Sequence, residues 1–252
     1  FCGTDHPGTG EPIQCSGTAE TQHADLPVGD AQPPWTVEAP IQRKVPESDG
    51  SNSKQDQGGR GVKIVTYGGG TNSTALLIGL RNNEQTPDAI VFSDTGGEKP
   101  HTYEYIERMQ LWCKRNGFPE ITIVQKGGKK ETLEEELLRR NSLPAIAFGF
   151  KTCSQKYKVQ PFEQWRNKNE DCQKVWEQGG KVKKYVGIDA DEPQRVRPSP
   201  NKKFENIYPL VDWDWGREDC IDIIKNERLP LPGKSSCFFC PSSKAQDILN
   251  LP

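Results

Sequence analysis

Residues Lys63–Leu80 read KIVTYGGGTNSTALLIGL, and the way this stretch changes period decides the fold. Ile64, Val65 and Tyr67 form a short apolar run of strand type, whereas Ala75, Leu76, Leu77 and Leu80 recur at helical spacing. Between the two runs lie three glycines and Thr-Asn-Ser. A strand that passes through glycines into a helix start aims backbone N–H groups and the positive helix end at one spot. Such a spot binds an anion, and a phosphate group is the natural occupant.

Outward from this stretch the chain alternates. Val62–Tyr67 reads as a strand and Ser73–Arg81 as its following helix. Ala89–Ser93 is a second strand with a helix over His101–Asn116, and Ile121–Gln125 is a third, followed by the helical ETLEEELLRR. Cys153–Trp165 reads as helix, Lys184–Ile188 as strand and Arg217–Asn226 as helix. Strands alternating with helices predict an α/β fold with a mostly parallel sheet covered on both faces. Ligands in such sheets bind at the carboxyl ends of strands. The glycine loop, the SDTGG after the second strand and the DADEPQR after Ile188 all fall there.

Composition narrows the class. The chain has 252 residues, is 33% hydrophobic and 27% charged, and has a formal net charge of −2. That allows a sizeable core and gives no global reason to bind nucleic acid. The charge is uneven, however: residues 1–61 hold 4 basic and 9 acidic side chains, and residues 126–203 hold 18 and 11. A basic middle beside a phosphate loop suits a nucleotide or polynucleotide, although most such lysines serve as a solvated surface. No run of about 18 apolar residues is present, so no membrane span is expected. Residues 1–60 are rich in Gly, Pro, Ser, Gln and Asp without apolar period, and read as a flexible tail before a domain at 61–252. Cys2, His6, Cys15 and His23 in that tail match no compact finger spacing. Eight cysteines in a chain of this size, with one close Cys-x-x-Cys pair, point to metal or redox chemistry in a reducing, cytoplasmic setting.

Three nucleotide loops compete for Gly68–Ser73. A Walker A loop needs a Lys after its glycines, and none follows here. A dinucleotide loop would use Gly68, Gly70 and Ser73 with Asp94 on a ribose, but its third position is normally Gly or Ala. Taken whole, Gly68, Gly69, Gly70, Thr71, Asn72 and Ser73 resemble the Ser-Gly-Gly-x-Asp-Ser loop of PP-loop ATP pyrophosphatases and phosphoadenosine phosphosulfate (PAPS) reductases. Gly68 stands for the first Ser and Asn72 for the Asp. Further segments agree in order: VFSDTGGEKPHTYEYIERM, KTCSQKYKVQPFEQW, VGIDADEPQR (with Asp189 where Arg is usual) and YPLVDWDWGREDCIDIIKNERLPLP. The chain from Val62 onward is thus similar to the PAPS reductase-like, adenine nucleotide α-hydrolase family.

That resemblance implies a three-layer α/β sandwich around a five-stranded sheet. It implies that ATP or PAPS binds at the glycine loop, with Asp94, Thr95 and Gly96 beside it. Asp94 would accept from a ribose hydroxyl or hold Mg²⁺, or else serve the turn alone. Lys156 and Arg195 would neutralise charge at the α-phosphate or sulfate, as catalytic residues. Without a lysine in the loop, several N–H groups with the Thr71 and Ser73 hydroxyls can still hold a phosphate, each charged hydrogen bond being worth ~1.5–3 kcal/mol.

The cysteines divide in two. Cys113, Cys172 and Cys220 lie at helical spacing with apolar neighbours and read as core. Cys237-Phe-Phe-Cys240 can give two thiolates to one ion or cluster. The resemblance brings Cys153 near them, with Thr152 where cluster-bearing members have another cysteine. Three ligands then point to a [4Fe–4S] cluster with one open iron, or to Zn²⁺ closed by Cys172 or Cys220; reactive thiols or plain structural cysteines are the other readings of the three. The implied function is sulfur chemistry on an adenine nucleotide, in the form of adenylyl transfer that activates an acceptor for thiolation. The acceptor would be a nucleic acid, DNA or tRNA, and the sulfur would come from a donor protein. PAPS reduction to sulfite is the alternative. It needs a mobile Glu-Cys-Gly-Leu-His segment that the terminal DILNLP does not supply. A nucleotide-binding or cluster-containing regulatory module without turnover is the third reading.

Overall fold

The computed structural model of the chain describes residues 61–128, 131–144, 146–147 and 150–249. The tail expected over 1–60 lies outside the described residues. The chain runs through β1 (Lys63–Tyr67), α1 (Thr71–Asn82), β2 (Ala89–Asp94), α2 (Pro100–Arg115) and β3 (Ile121–Gln125). A 3₁₀ turn (Lys126–Gly128) leads to α3 (Leu133–Arg140) and a small antiparallel pair, β4 (Ile146–Ala147) with β5 (Phe150–Lys151). Next comes an unbroken helical run of α4 (Thr152–Ser154), a π-helical turn (Gln155–Val159) and α5 (Gln160–Lys168). Then follow α6 (Glu170–Glu177), β6 (Val182–Val186), a 3₁₀ turn (Pro193–Arg195), β7 (Phe204–Ile207), α7 (Pro209–Asp212), α8 (Arg217–Asn226) and α9 (Ala245–Leu249).

Five strands form one sheet in the order β3-β2-β1-β6-β7, and every pairing is parallel. β1 is central. Its Val65 lies opposite Ile90 on one side and Tyr185 on the other. Because side chains alternate along a strand, neighbours in β1 serve different cores. Val65 packs with Ile90, Phe92 and the inner faces of α1, α2 and α8, while Ile64 packs with Val91, Val182, Phe204 and residues of α5 and α6. Helices therefore cover both faces, which makes the three expected layers. Each large side chain so buried contributes about 1.5–3 kcal/mol.

The register differs from expectation at β6. The sequence predicts a strand over Lys184–Ile188, but the ladder runs two residues earlier, from Val182 to Val186. Val182 is fully buried, and the chain leaves the sheet at Gly187, where a Cβ would stand 3.0 Å from Ser73 N and Cα. That close approach to the start of α1 ends the strand. β7 is the fifth strand, an edge of four residues, FENI, in which only Phe204 is fully inside.

Candidate functional site

The strand order reverses between β1 and β6, because β2 and β3 lie on one side of β1 and β6 and β7 on the other. At such a reversal two successive loops part and leave a crevice at the carboxyl ends of the strands. The loop after β1 is Gly68–Gly70, with Gly69 at φ +70, a left-handed conformation that a side chain rarely adopts. A Cβ there would also stand 3.0 Å from Thr102. Thr71 opens α1. Thr74 N bonds back to Gly70 O at 3.0 Å, so the preceding N–H groups of the first turn have no partner within the helix. Ser73 is partly spent on the loop itself: its Oγ accepts from Gly70 N and donates to Gly70 O at 3.0 Å. Thr71 and Ser73 are buried.

The facing wall comes from β6 and α8. Asn72 Nδ2 donates to Asp189 Oδ2 at 2.8 Å, and Arg217 Nη1 donates to Asn72 Oδ1 at 2.9 Å. Asp189 is 3% exposed, and its other oxygen, Oδ1, is buried without a partner. Asp191 takes a different task, accepting from Arg217 N at 2.6 Å at the start of α8. Arg217 places a cation beside the loop that the sequence reading did not single out; the signal was an arginine at the first position of a helix after Trp-Gly.

β2 ends in Asp94, which is buried and fully engaged. Its Oδ1 accepts from Tyr103 OH at 2.8 Å and Gly96 N at 2.8 Å, and its Oδ2 from Gln125 Nε2 at 2.6 Å. The neighbouring carboxylate and burial push the Tyr103 hydroxyl far above its ordinary pKa, burial being the larger effect. Asp94, Thr95 and Gly96 border a narrow crevice with Gln125, Lys126 and Tyr157. Behind it stands Glu136, 4% exposed, with Lys156 Nζ at 2.5 Å, Lys126 Nζ at 2.9 Å and Arg140 Nη1 at 3.0 Å; the Tyr157 hydroxyl donates to it as well. Burial alone would raise the Glu136 carboxyl, but Lys156, Tyr157, Lys126 and Arg140 overcome that and hold it well below the usual carboxylate range. Three cations share one carboxylate, so the wall stays positive. Lys156 is thus an ion-pair partner on this wall. Arg195 is exposed on its 3₁₀ turn and pairs with Glu192 three residues before it.

The Cys-x-x-Cys segment docks on the same loop. Phe238 N donates to Gly97 O at 3.1 Å and Lys99 N to Ser236 O at 3.3 Å. Cys237 Sγ lies 3.2 Å from Thr95 Oγ1 and 3.9 Å from Glu98 Oε1. Glu98 is held by Lys158 Nζ at 2.8 Å. Burial first, and then the Glu98 charge, push the Cys237 thiol up to about 11, so it is protonated at neutral pH. Just upstream, Ser235 Oγ would stand 3.3 Å from a Cβ on Gly70. One strand of chain therefore runs from the phosphate-type loop to the thiol turn.

Cys153, Cys237 and Cys240 share a small apolar cluster with Leu133, Tyr157 and Phe239. Among the described residues, no three His, Cys, Asp or Glu side chains are grouped to hold a single metal ion. Cys172 and Cys220 are fully buried in the two main cores, apart from this cluster, so zinc closed by either finds no support in the arrangement. Three soft thiols around an apolar patch fit an iron–sulfur cluster in donor type. Cys113 also lies in a core, and all six described cysteines are free thiols.

The phosphoadenosine phosphosulfate reductase domain model matches residues 63–232. The uncharacterised nin region protein ORF290 of Escherichia phage lambda is 23% identical over 213 residues, covering 74% of this chain and 68% of that protein. A solved U34-tRNA thiolase, NcsA from Methanococcus maripaludis with its [4Fe–4S] cluster, aligns at TM-score 0.47 and 15% identity. That alignment covers 75% of this chain, which spans 63% of the thiolase.

Proposed function

Since the chain belongs to the phosphoadenosine phosphosulfate reductase domain family, we propose that it binds ATP at Gly68–Ser73 and activates an acceptor by adenylyl transfer for thiolation. The observation that carries the reading is the contact of Cys237 Sγ with Thr95 Oγ1 at 3.2 Å, which puts a thiol turn on the loop beside a phosphate-binding helix start. The N–H groups of the first turn of α1 take the phosphates, with Arg217 and the positive wall around Lys126 and Lys156 to offset charge. An acceptor oxygen attacks the α-phosphorus, the bond to the bridging oxygen breaks and pyrophosphate leaves. A sulfur nucleophile then forms the carbon–sulfur bond and expels AMP. A [4Fe–4S] cluster on Cys153, Cys237 and Cys240 would supply sulfide from its open iron. Lys156 keeps a role in charge neutralisation through this wall, and Arg195, on the turn after β6, would join it only by leaving its pair with Glu192. The acceptor is a nucleic acid, DNA or tRNA, drawn by the basic middle of the chain, and the free thiols suit the reducing cytoplasm.

Incubation with ATP or PAPS, with RNA or DNA and sulfide present, tests this. Pyrophosphate and AMP from ATP, formed only with an acceptor, are expected. Sulfite from PAPS would assign the reductase reaction instead. Binding of either nucleotide without any product would leave a binding module.

A further inference from the structure

The structure assigns Asp189 as the carboxylate ligand of a divalent cation that accompanies the nucleotide phosphates, an inference that rests on reading Gly68–Ser73 as the nucleotide loop. The three aspartates at the strand ends differ in what they have left to give. Asp94 accepts from Tyr103, Gly96 and Gln125 and has both oxygens engaged. Asp191 is bound to the backbone at the start of α8 through Arg217 N. Asp189 is bonded on one side only, by Asn72 Nδ2 at 2.8 Å, and its Oδ1 is buried without a partner.

A carboxylate that is 3% exposed and touches the first turn of a phosphate-binding helix is an electrostatic conflict. It repels the anion that the turn attracts. Arg217 does not resolve this, because its guanidinium donates to Asn72 rather than to Asp189. A divalent cation does, since it accepts one carboxylate oxygen on one side and phosphate oxygens on the other, with water completing an octahedron in the case of Mg²⁺. Two of the sequence's departures from its family pattern also meet across one bond. Asn72 stands where the loop usually has Asp, Asp189 stands where Arg is usual, and the two side chains are hydrogen-bonded. The carboxylate has moved from the helix start to the strand end across that bond.

Mn²⁺ can serve as the probe, titrated by electron paramagnetic resonance against the full chain with and without α,β-methylene ATP. Asp189→Asn keeps an oxygen for Asn72 and should weaken Mn²⁺ binding in the ternary complex by about tenfold or more. Nucleotide affinity should cross over. In EDTA, Asp189→Asn binds the analogue as tightly as wild type or more tightly, because the repulsion is gone; with Mg²⁺, wild type binds more tightly. The exchange variant Asn72→Asp/Asp189→Asn returns the carboxylate to the loop and should restore Mn²⁺ binding, which also guards against a folding defect in the single variant. Unchanged Mn²⁺ affinity in Asp189→Asn, or an equal loss of analogue binding with and without cation, would overturn the assignment while leaving the nucleotide loop intact. No analogue binding to wild type under either condition would instead overturn the loop reading, and the cation site with it.

Discussion

Glu136 shows how a residue can be central to the site wall and pass unnoticed in the sequence. In ETLEEELLRR it is one acid among four, yet it alone is nearly fully buried there, on the face that Leu133 and Leu137 share at three residues before and one after. Its place on the apolar side of α3 was the available signal. Because its folded pKa lies below the unfolded value of about 4.3, its stabilisation is complete above that value and is lost as pH falls through the depressed folded value. Glu136→Gln should therefore cost ~1.5–3 kcal/mol at neutral pH, and the gap to wild type should close on acidification below about pH 4. Urea midpoints at several pH values check this; a gap that persists at low pH would show that the carboxylate charge is not the cause. The positions of Asp94 and the glycine loop at strand ends, by contrast, were legible because strand ends and glycine runs announce themselves. Asp189 was visible only as a departure from pattern, since its meaning depends on touching Asn72 across 117 positions.

At the scale of elements, α1 lies in a tight seat against the segment before α8. A Cβ on Gly79 would meet the Trp213 ring, with Trp215 3.0 Å away. Gly→Ala within a helix ordinarily stabilises by about 1 kcal/mol, whereas overpacking costs ~1–3 kcal/mol. The rings are braced against each other at 5.0 Å, so overpacking wins, and Gly79→Ala should lower stability by about 1 kcal/mol or more. Thermal unfolding decides it; a rise in melting temperature would mean that the tryptophans move aside freely. Helices and strands with strong period were readable: β3 and α8 fall where the sequence puts them, at Ile121–Gln125 and Arg217–Asn226. β7 was not, because an edge strand of four residues with one buried side chain carries almost no alternation. The two-residue shift of β6 was also hidden, since it is fixed by Gly187 meeting α1 rather than by local preference.

For the whole molecule, what matters is that the first described strand is the middle of the sheet. β1 carries hydrogen-bonded neighbours on both sides, β2 and β6, and its two faces feed separate cores through Val65 and Ile64. The crevice exists only because β6 returns to the far side of β1 after β2 and β3 have been laid down on the near side. A chain begun after β1 would lose the strand that joins the two halves, and the glycine loop would lose the support that aims it. A chain begun at Gly61 keeps β1 entire, since the ladder starts at Lys63 and the family match starts at the same residue. The 61–252 chain should accordingly unfold in one cooperative transition and bind ATP with the affinity of the full chain, within about twofold by calorimetry, while a chain begun at Gly68 should fail to fold. The twofold limit corresponds to about 0.4 kcal/mol, well below the cost of losing even one phosphate contact. Intact folding with lost ATP binding in the 61–252 chain would show that residues before Gly61 belong to the site. A folded chain begun at Gly68 would show that the sheet can close without its central strand, contrary to the two-sided burial of Ile64 and Val65.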